Sequence, residues 1–128
     1  MFKEKPTCFV AIPGTPDFAS VRDAVQQSLF HQDIEPSSAA DLVGTTFSAK
    51  AVERSDLLIA DVTDKNPDTF YEVGLADAMR KPILILAQKS DDVPTDLGGH
   101  RVLLYEPGDT DKLTRYLDYW IKEQALQR

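Results

Sequence analysis

Residues 55–86, SDLLIADVTDKNPDTFYEVGLADAMRKPILIL, decide how this chain is read. A short aliphatic run, 57–62, gives way to a polar turn, and Asn66 followed by Pro67 marks a helix start, an N-cap with proline at the first helical position. The helical pattern runs to Arg80 and is followed by a second aliphatic run, 82–87. Two short apolar strands flanking one helix form a βαβ unit, which implies a parallel sheet covered by helices.

The helix carries one carboxylate where an apolar residue is expected. With Glu72 at zero and 100° per residue, Leu75, Met79 and Ala76 fall at about 300°, 340° and 40°. Glu72 is thus centred on the face that packs against the protein. A carboxylate there must be neutralised, hydrogen-bonded or open to a cleft, because burying it unpaired is expensive. It is the leading candidate for chemistry.

Working outward, the same alternation continues. Residues 7–12 (TCFVAI) form a near-continuous apolar run, as in a strand covered on both faces. Pro13, Gly14 and Thr15 make a turn, with Thr15 as N-cap and Pro16 opening a helix to about Phe30. A short second strand spans 33–36, a loop of small and polar residues follows, and a helix spans 46–54. After the strand at 82–87 come a polar loop, a fifth strand at 101–105, and a final helix from Asp109 or Thr110. That helix carries Leu113, Tyr116, Leu117, Trp120 and Ile121 on one stripe. The expected fold is an α/β flavodoxin-like three-layer sandwich, one domain over residues 1–128. Its five-stranded parallel sheet has order 2-1-3-4-5.

Composition narrows the function classes. Hydrophobic residues at 42% and charged residues at 27% are ordinary for a globular domain. A net charge of −7 without a Lys/Arg stripe excludes binding to nucleic acid through its backbone. No apolar run approaches the about 18 residues of a membrane span. The lone cysteine, Cys8, sits inside the first strand and reads as a core residue of a cytoplasmic protein. His31 and His100, without Cys or paired carboxylate partners, do not make a metal site.

The topology itself locates a site. Ligands of open α/β sheets bind beyond the carboxyl ends of the strands, where strand order reverses, here between the first and third strands. The turn at 13–17 and the loop at 63–68 line that point, with Asp61 closing the third strand. The start of the helix that carries Glu72 is a ready anion site. Neither loop has a Walker or GxGxxG pattern, which argues against a P-loop or a dinucleotide-binding Rossmann domain. The absence of Gly-x-Ser-x-Gly argues against acyl transfer.

The run IADVTDKNPDTFYEVGLADAMRKPILIL resembles the signature of nucleoside 2-deoxyribosyltransferase-like and bacterial TIR-like domains. FVAIPGTPDFASVRDAV resembles their first strand and helix, and VPTDLGGHRVLLYE their last loop and strand. The resemblance implies action on N-glycosidic bonds of nucleosides, nucleotides or NAD. Glu72 matches the carboxylate that attacks the anomeric carbon or stabilises the ribosyl cation, as an oxocarbenium-like centre requires. It further implies that Asp61 orients ribose hydroxyls, that Tyr71 and Phe70 offer surface to a base, and that Asp41 handles the base. A phosphate would face the backbone N–H groups of the turn at 13–17, which holds the substrate-binding candidates Pro13 and Gly14, or Lys65. Where the transferases tend to have an Asp six residues before the nucleophile, this chain has Asn66, which can contact a sugar but cannot act as a base. Nicotinamide leaves NAD without prior protonation, so this departure favours NAD cleavage over transfer.

Structural roles stand beside these. Glu72 can pair with Lys50, Arg54 or Arg101; Asp61 can anchor the following loop; Asn66 can serve only as a cap; Phe70 and Tyr71 can be core residues. The expectation is hydrolysis or transfer at the N-glycosidic bond of NAD or a related nucleotide or nucleoside. The alternative is a non-catalytic nucleotide-binding or self-associating module. No cofactor is implied, NAD being a substrate, and the expected partners are a small nucleotide ligand and further copies of the chain.

Overall fold

Aliphatic runs that are apolar on both sides persist only between two covering layers, and the sheet lies in that position. The computed structural model describes residues 5–38, 47–97 and 99–126. Strands β1 (Thr7–Ala11), β2 (Glu35–Ser37), β3 (Leu57–Asp61), β4 (Ile83–Ala87) and β5 (Arg101–Leu104) form one parallel sheet in the order β2-β1-β3-β4-β5. Helices α1 (Ala19–His31), α2 (Phe47–Arg54), α3 (Pro67–Ala78) and α4 (Thr110–Leu126) alternate with them.

The two-residue period of the strands divides the core into two layers. Cys8, Val10, Leu57, Ile59, Leu84 and Leu86 face α1 and α4, meeting Val25, Leu29, Leu117, Trp120 and Ile121. Phe9, Ala11, Leu58, Ala60, Ile83 and Ile85 face the opposite side, meeting Val52 of α2 and Val73 and Ala76 of α3. Cys8 is fully buried, and burial pushes its thiol up, so it is an inert part of the packing. No helix among the described residues is long and apolar enough to cross a membrane.

Helix ends depart from the sequence reading for definable reasons. Thr15 makes no side-chain cap; Pro16–Phe18 forms a single 3-10 turn, closed by Phe18 N–H donating to Thr15 O at 3.1 Å, and α1 starts at Ala19. Helix α3 stops at Ala78 rather than Arg80, because Arg80 takes a left-handed φ of 59°. The Arg80 and Lys81 N–H groups then donate to Asp77 O and Ala76 O, both at 3.0 Å, which is a Schellman closure. Asp33, at φ 58°, closes α1 in the same way, with Ile34 N–H donating to Leu29 O at 2.9 Å. That closure displaces the second strand to 35–37 from the expected 33–36.

Candidate functional site

A cavity of about 690 Å³ opens at the carboxyl end of β1, within the range of small-molecule sites. Its floor is the end of β1 and the Pro13–Gly14 turn, and its sides come from α1, α3 and the end of β2. From α3 it receives Asn66, Asp68, Thr69 and Glu72; from α1, Arg22 and Gln26. Since α1 and α3 cover opposite faces of the sheet, the cavity is reached from both layers. A Cβ built at Gly14 would meet nothing within 4 Å, so the space above this turn is open.

Glu72 is 6% exposed and lines this cavity. The buried face of α3 holds Thr69, Glu72, Val73 and Ala76, so the carboxylate lies on the packing face, as the periodicity predicts. Arg101, one of its candidate structural partners, pairs instead with Glu123 at 3.1 Å.

The loop before α3 is tightly built. Asp64 and Lys65 both have left-handed φ, 63° and 57°, a conformation that non-glycine residues adopt at a cost. Two contacts hold it: Lys65 N–H donates to Val62 O at 2.9 Å, and Asp64 N–H donates to Asp92 Oδ2 at 3.0 Å. The turn delivers Asn66 as a working cap, its Oδ1 accepting from the N–H groups of Asp68 at 2.9 Å and Thr69 at 3.3 Å. Phe70 N–H returns to Asn66 O, and Pro67 has no N–H. The first-turn donors of α3 are therefore used internally, which corrects the expectation that this helix start receives an anion. Asn66 both caps the helix and lines the cavity.

Asp61 lies elsewhere. It shares the strand parity of Leu57 and Ile59, faces the α1/α4 layer and is fully buried. Its Oδ1 accepts from Thr63 N–H at 2.9 Å, and its Oδ2 accepts from the Tyr105 hydroxyl. Gln88 extends the cluster, its Nε2 donating to the Tyr105 hydroxyl oxygen at 3.2 Å and its N–H to Thr63 Oγ1 at 3.1 Å. Burial raises the Asp61 carboxyl above its ordinary value, outweighing the opposing hydrogen bonds from Thr63 and Tyr105. Burial, and then Asp61 itself, likewise push the Tyr105 phenol up, so it stays a donor. Asp61 ties the ends of β3, β4 and β5 together and does not line the cavity.

The other expected residues divide similarly. Pro13 and Gly14 line the cavity. Tyr71 is 58% exposed and lies off it, while Phe70 packs against the α2/α3 core. Lys65 is exposed and not part of the lining, and Asp41 falls outside the described residues. Arg22, Gln26, Asp68 and Thr69 were not singled out by the sequence reading. The signal was present for two pairs: Arg22 and Gln26, like Asp68 and Glu72, are four residues apart and share a helix face.

No protein-family model and no curated protein matches the sequence. Among solved structures, the CMP N-glycosidase BcmB of Clostridium botulinum superposes with a TM-score of 0.67 at 21% identity, covering 88% of this chain and 98% of that one. A 2-deoxyribosyltransferase of Bacillus psychrosaccharolyticus gives 0.64 at 15% identity, with coverage of 86% and 91%. A proposed pilus assembly-related protein of Burkholderia pseudomallei gives 0.61 at 17% identity, with coverage of 99% and 94%. Identities this low speak to architecture alone, and they agree with the strand order: the chain has the nucleoside 2-deoxyribosyltransferase-like fold.

Proposed function

We propose that this protein cleaves, by hydrolysis or transfer, the N-glycosidic bond of a nucleotide or nucleoside, with Glu72 as the catalytic carboxylate. The observation that carries this reading is a nearly buried carboxylate on the wall of a cavity at the topological switch point. The fold is shared with an N-glycosidase acting on CMP and with a 2-deoxyribosyltransferase, which supports this bond type over others.

The chemistry follows from charge. As the C1′–N bond breaks, its electron pair leaves with the base and positive charge develops at C1′ and the ring oxygen. A carboxylate held at that carbon stabilises the cation or bonds to it until water or a second base arrives. Asp68, on the same face of α3 as Glu72, takes the ribose-hydroxyl role first assigned to Asp61, and the Asn66 amide borders the same sugar. NAD fits this reading as a substrate because its base departs without needing an acid.

The test is incubation of pure protein with NAD, nucleoside monophosphates and nucleosides, with released base measured by chromatography. Glu72→Gln should reduce release by about 10³-fold or more, with affinity changed little, since the charge matters chiefly in the transition state. Saturable binding without base release from any of these compounds would instead identify a binding module.

A further inference from the structure

Resting on that reading, we infer that the substrate is phosphorylated on its ribose, and that Arg22 holds the phosphate. Among the described residues lining the cavity, Arg22 is the only cationic side chain, in a chain of net charge −7 and a cavity that already contains Asp68 and Glu72. A neutral nucleoside would leave the guanidinium with its backbone contacts alone and no partner in the cavity. Of the other candidate anion holders, the Gly14 N–H lies on the same turn as the Arg22 contacts and would act beside it, and the rest are taken or absent. The α3 N-terminal N–H groups are taken by Asn66, neither Pro13 nor Pro67 has an N–H, and Lys65 is not part of the lining.

Arg22 is also held in place. Its Nη1 donates to Pro13 O at 2.5 Å and to Thr15 O at 3.0 Å, fixing the guanidinium against the turn at the cavity floor. That contact braces the β1–α1 connection, yet it occupies only one nitrogen of a planar fork with five donors. The remaining donors, on Nη2 and Nε, have the spacing that meets a phosphate. Arg22 and Glu72 enter the cavity from helices on opposite faces of the sheet. A ligand touching both must present an electrophilic carbon at one end and an anion at the other. A nucleoside 5′-phosphate does so, whether it is a mononucleotide or half of a dinucleotide.

Calorimetric titration with ribose 5-phosphate and with ribose tests this without requiring turnover. The wild type should bind ribose 5-phosphate at least tenfold more tightly than ribose, and Arg22→Gln should remove that preference while Arg22→Lys keeps part of it. Circular dichroism shows whether each variant folds. Should Arg22→Gln fail to fold, the arginine Nε–H resonance of Arg22 in the wild type decides: it shifts on adding ribose 5-phosphate, and an unmoved resonance overturns the proposal. Equal affinity for the two sugars, or a preference unchanged in folded Arg22→Gln, also overturns it. Comparing nucleoside monophosphates with NAD distinguishes the two phosphate sources. Base release that is equal for nucleosides and nucleotides would refute the Arg22 subsite but not the glycosidase. Phosphate-dependent binding without base release from any compound would do the reverse.

Discussion

Two buried carboxylates stand at the same edge of the sheet and are used in opposite ways. Asp61, fully buried at the end of β3, gives its oxygens to Thr63 and Tyr105 and joins three strand ends. Glu72, 6% exposed on α3, lines a cavity of about 690 Å³. Burial of a charged group is therefore not what marks a site. What separates the two is whether the carboxylate itself borders space for a ligand: Glu72 lines the cavity and Asp61 does not. A carboxylate enclosed in the core fastens the structure, and a carboxylate at a cavity wall faces the space a ligand would fill.

The comparison predicts different consequences at the two positions. Replacing Asp61 with Ala leaves the Tyr105 hydroxyl and the Thr63 N–H without their acceptor in a buried setting. Unfolding should become easier by about 3 kcal/mol, seen as a fall in melting temperature of roughly 10 °C. A drop of only a degree or two would show that the cluster is not what fastens the strand ends. Asp68→Asn probes the other region. It should reduce the base-release rate about tenfold through one charge-assisted ribose contact, with melting lowered only slightly through the helix dipole, and a wild-type rate would remove Asp68 from the site.

Asn66 belongs to both regions by role, as cap and as cavity wall. Asn66→Ala should destabilise by about 1 kcal/mol through loss of the α3 cap, whereas Asn66→Asp should keep the cap and gain slightly from the helix dipole. Equal melting of all three proteins would contradict the capping geometry. The smallest effect is a pH dependence. The folded carboxyl of Asp61 lies above its ordinary value of 3.8, so the unfolded chain ionises first. Wild-type stability is therefore fully retained below 3.8 and falls as pH rises through the folded value. Asp61→Asn cannot ionise, and its stability relative to wild type should rise over that window and stay level outside it. A difference flat from acid to neutral pH would show that Asp61 ionises normally.

How much of this was legible in the sequence follows the same division. Aliphatic runs alternating with amphipathic helices determine a covered parallel sheet, and its order comes out as the connections require. Glu72 was legible because one carboxylate interrupts an apolar face of a helix. Asp61 was assigned to ribose because it ends a strand at the switch point, although its parity with Leu57 and Ile59 already directs it toward the α1/α4 layer. Its partner Tyr105 is 44 residues away, a pairing that only the folded sheet makes visible. The end of α1 at His31 was legible, whereas the end of α3 was hidden because its closure uses Arg80 in place of glycine. Arg22 was overlooked because a cation beside an apolar stripe reads as surface until the opposite wall of the cavity is known.

The most direct test of the account sets the two carboxylates side by side as neutral isosteres. Base release per folded molecule and melting temperature are measured for Glu72→Gln and Asp61→Asn, using the best substrate of the nucleotide panel. The account predicts background turnover with near-wild-type melting for Glu72→Gln, and near-wild-type turnover for Asp61→Asn. Wild-type turnover in a folded Glu72→Gln, or loss of turnover in a folded Asp61→Asn, would contradict it.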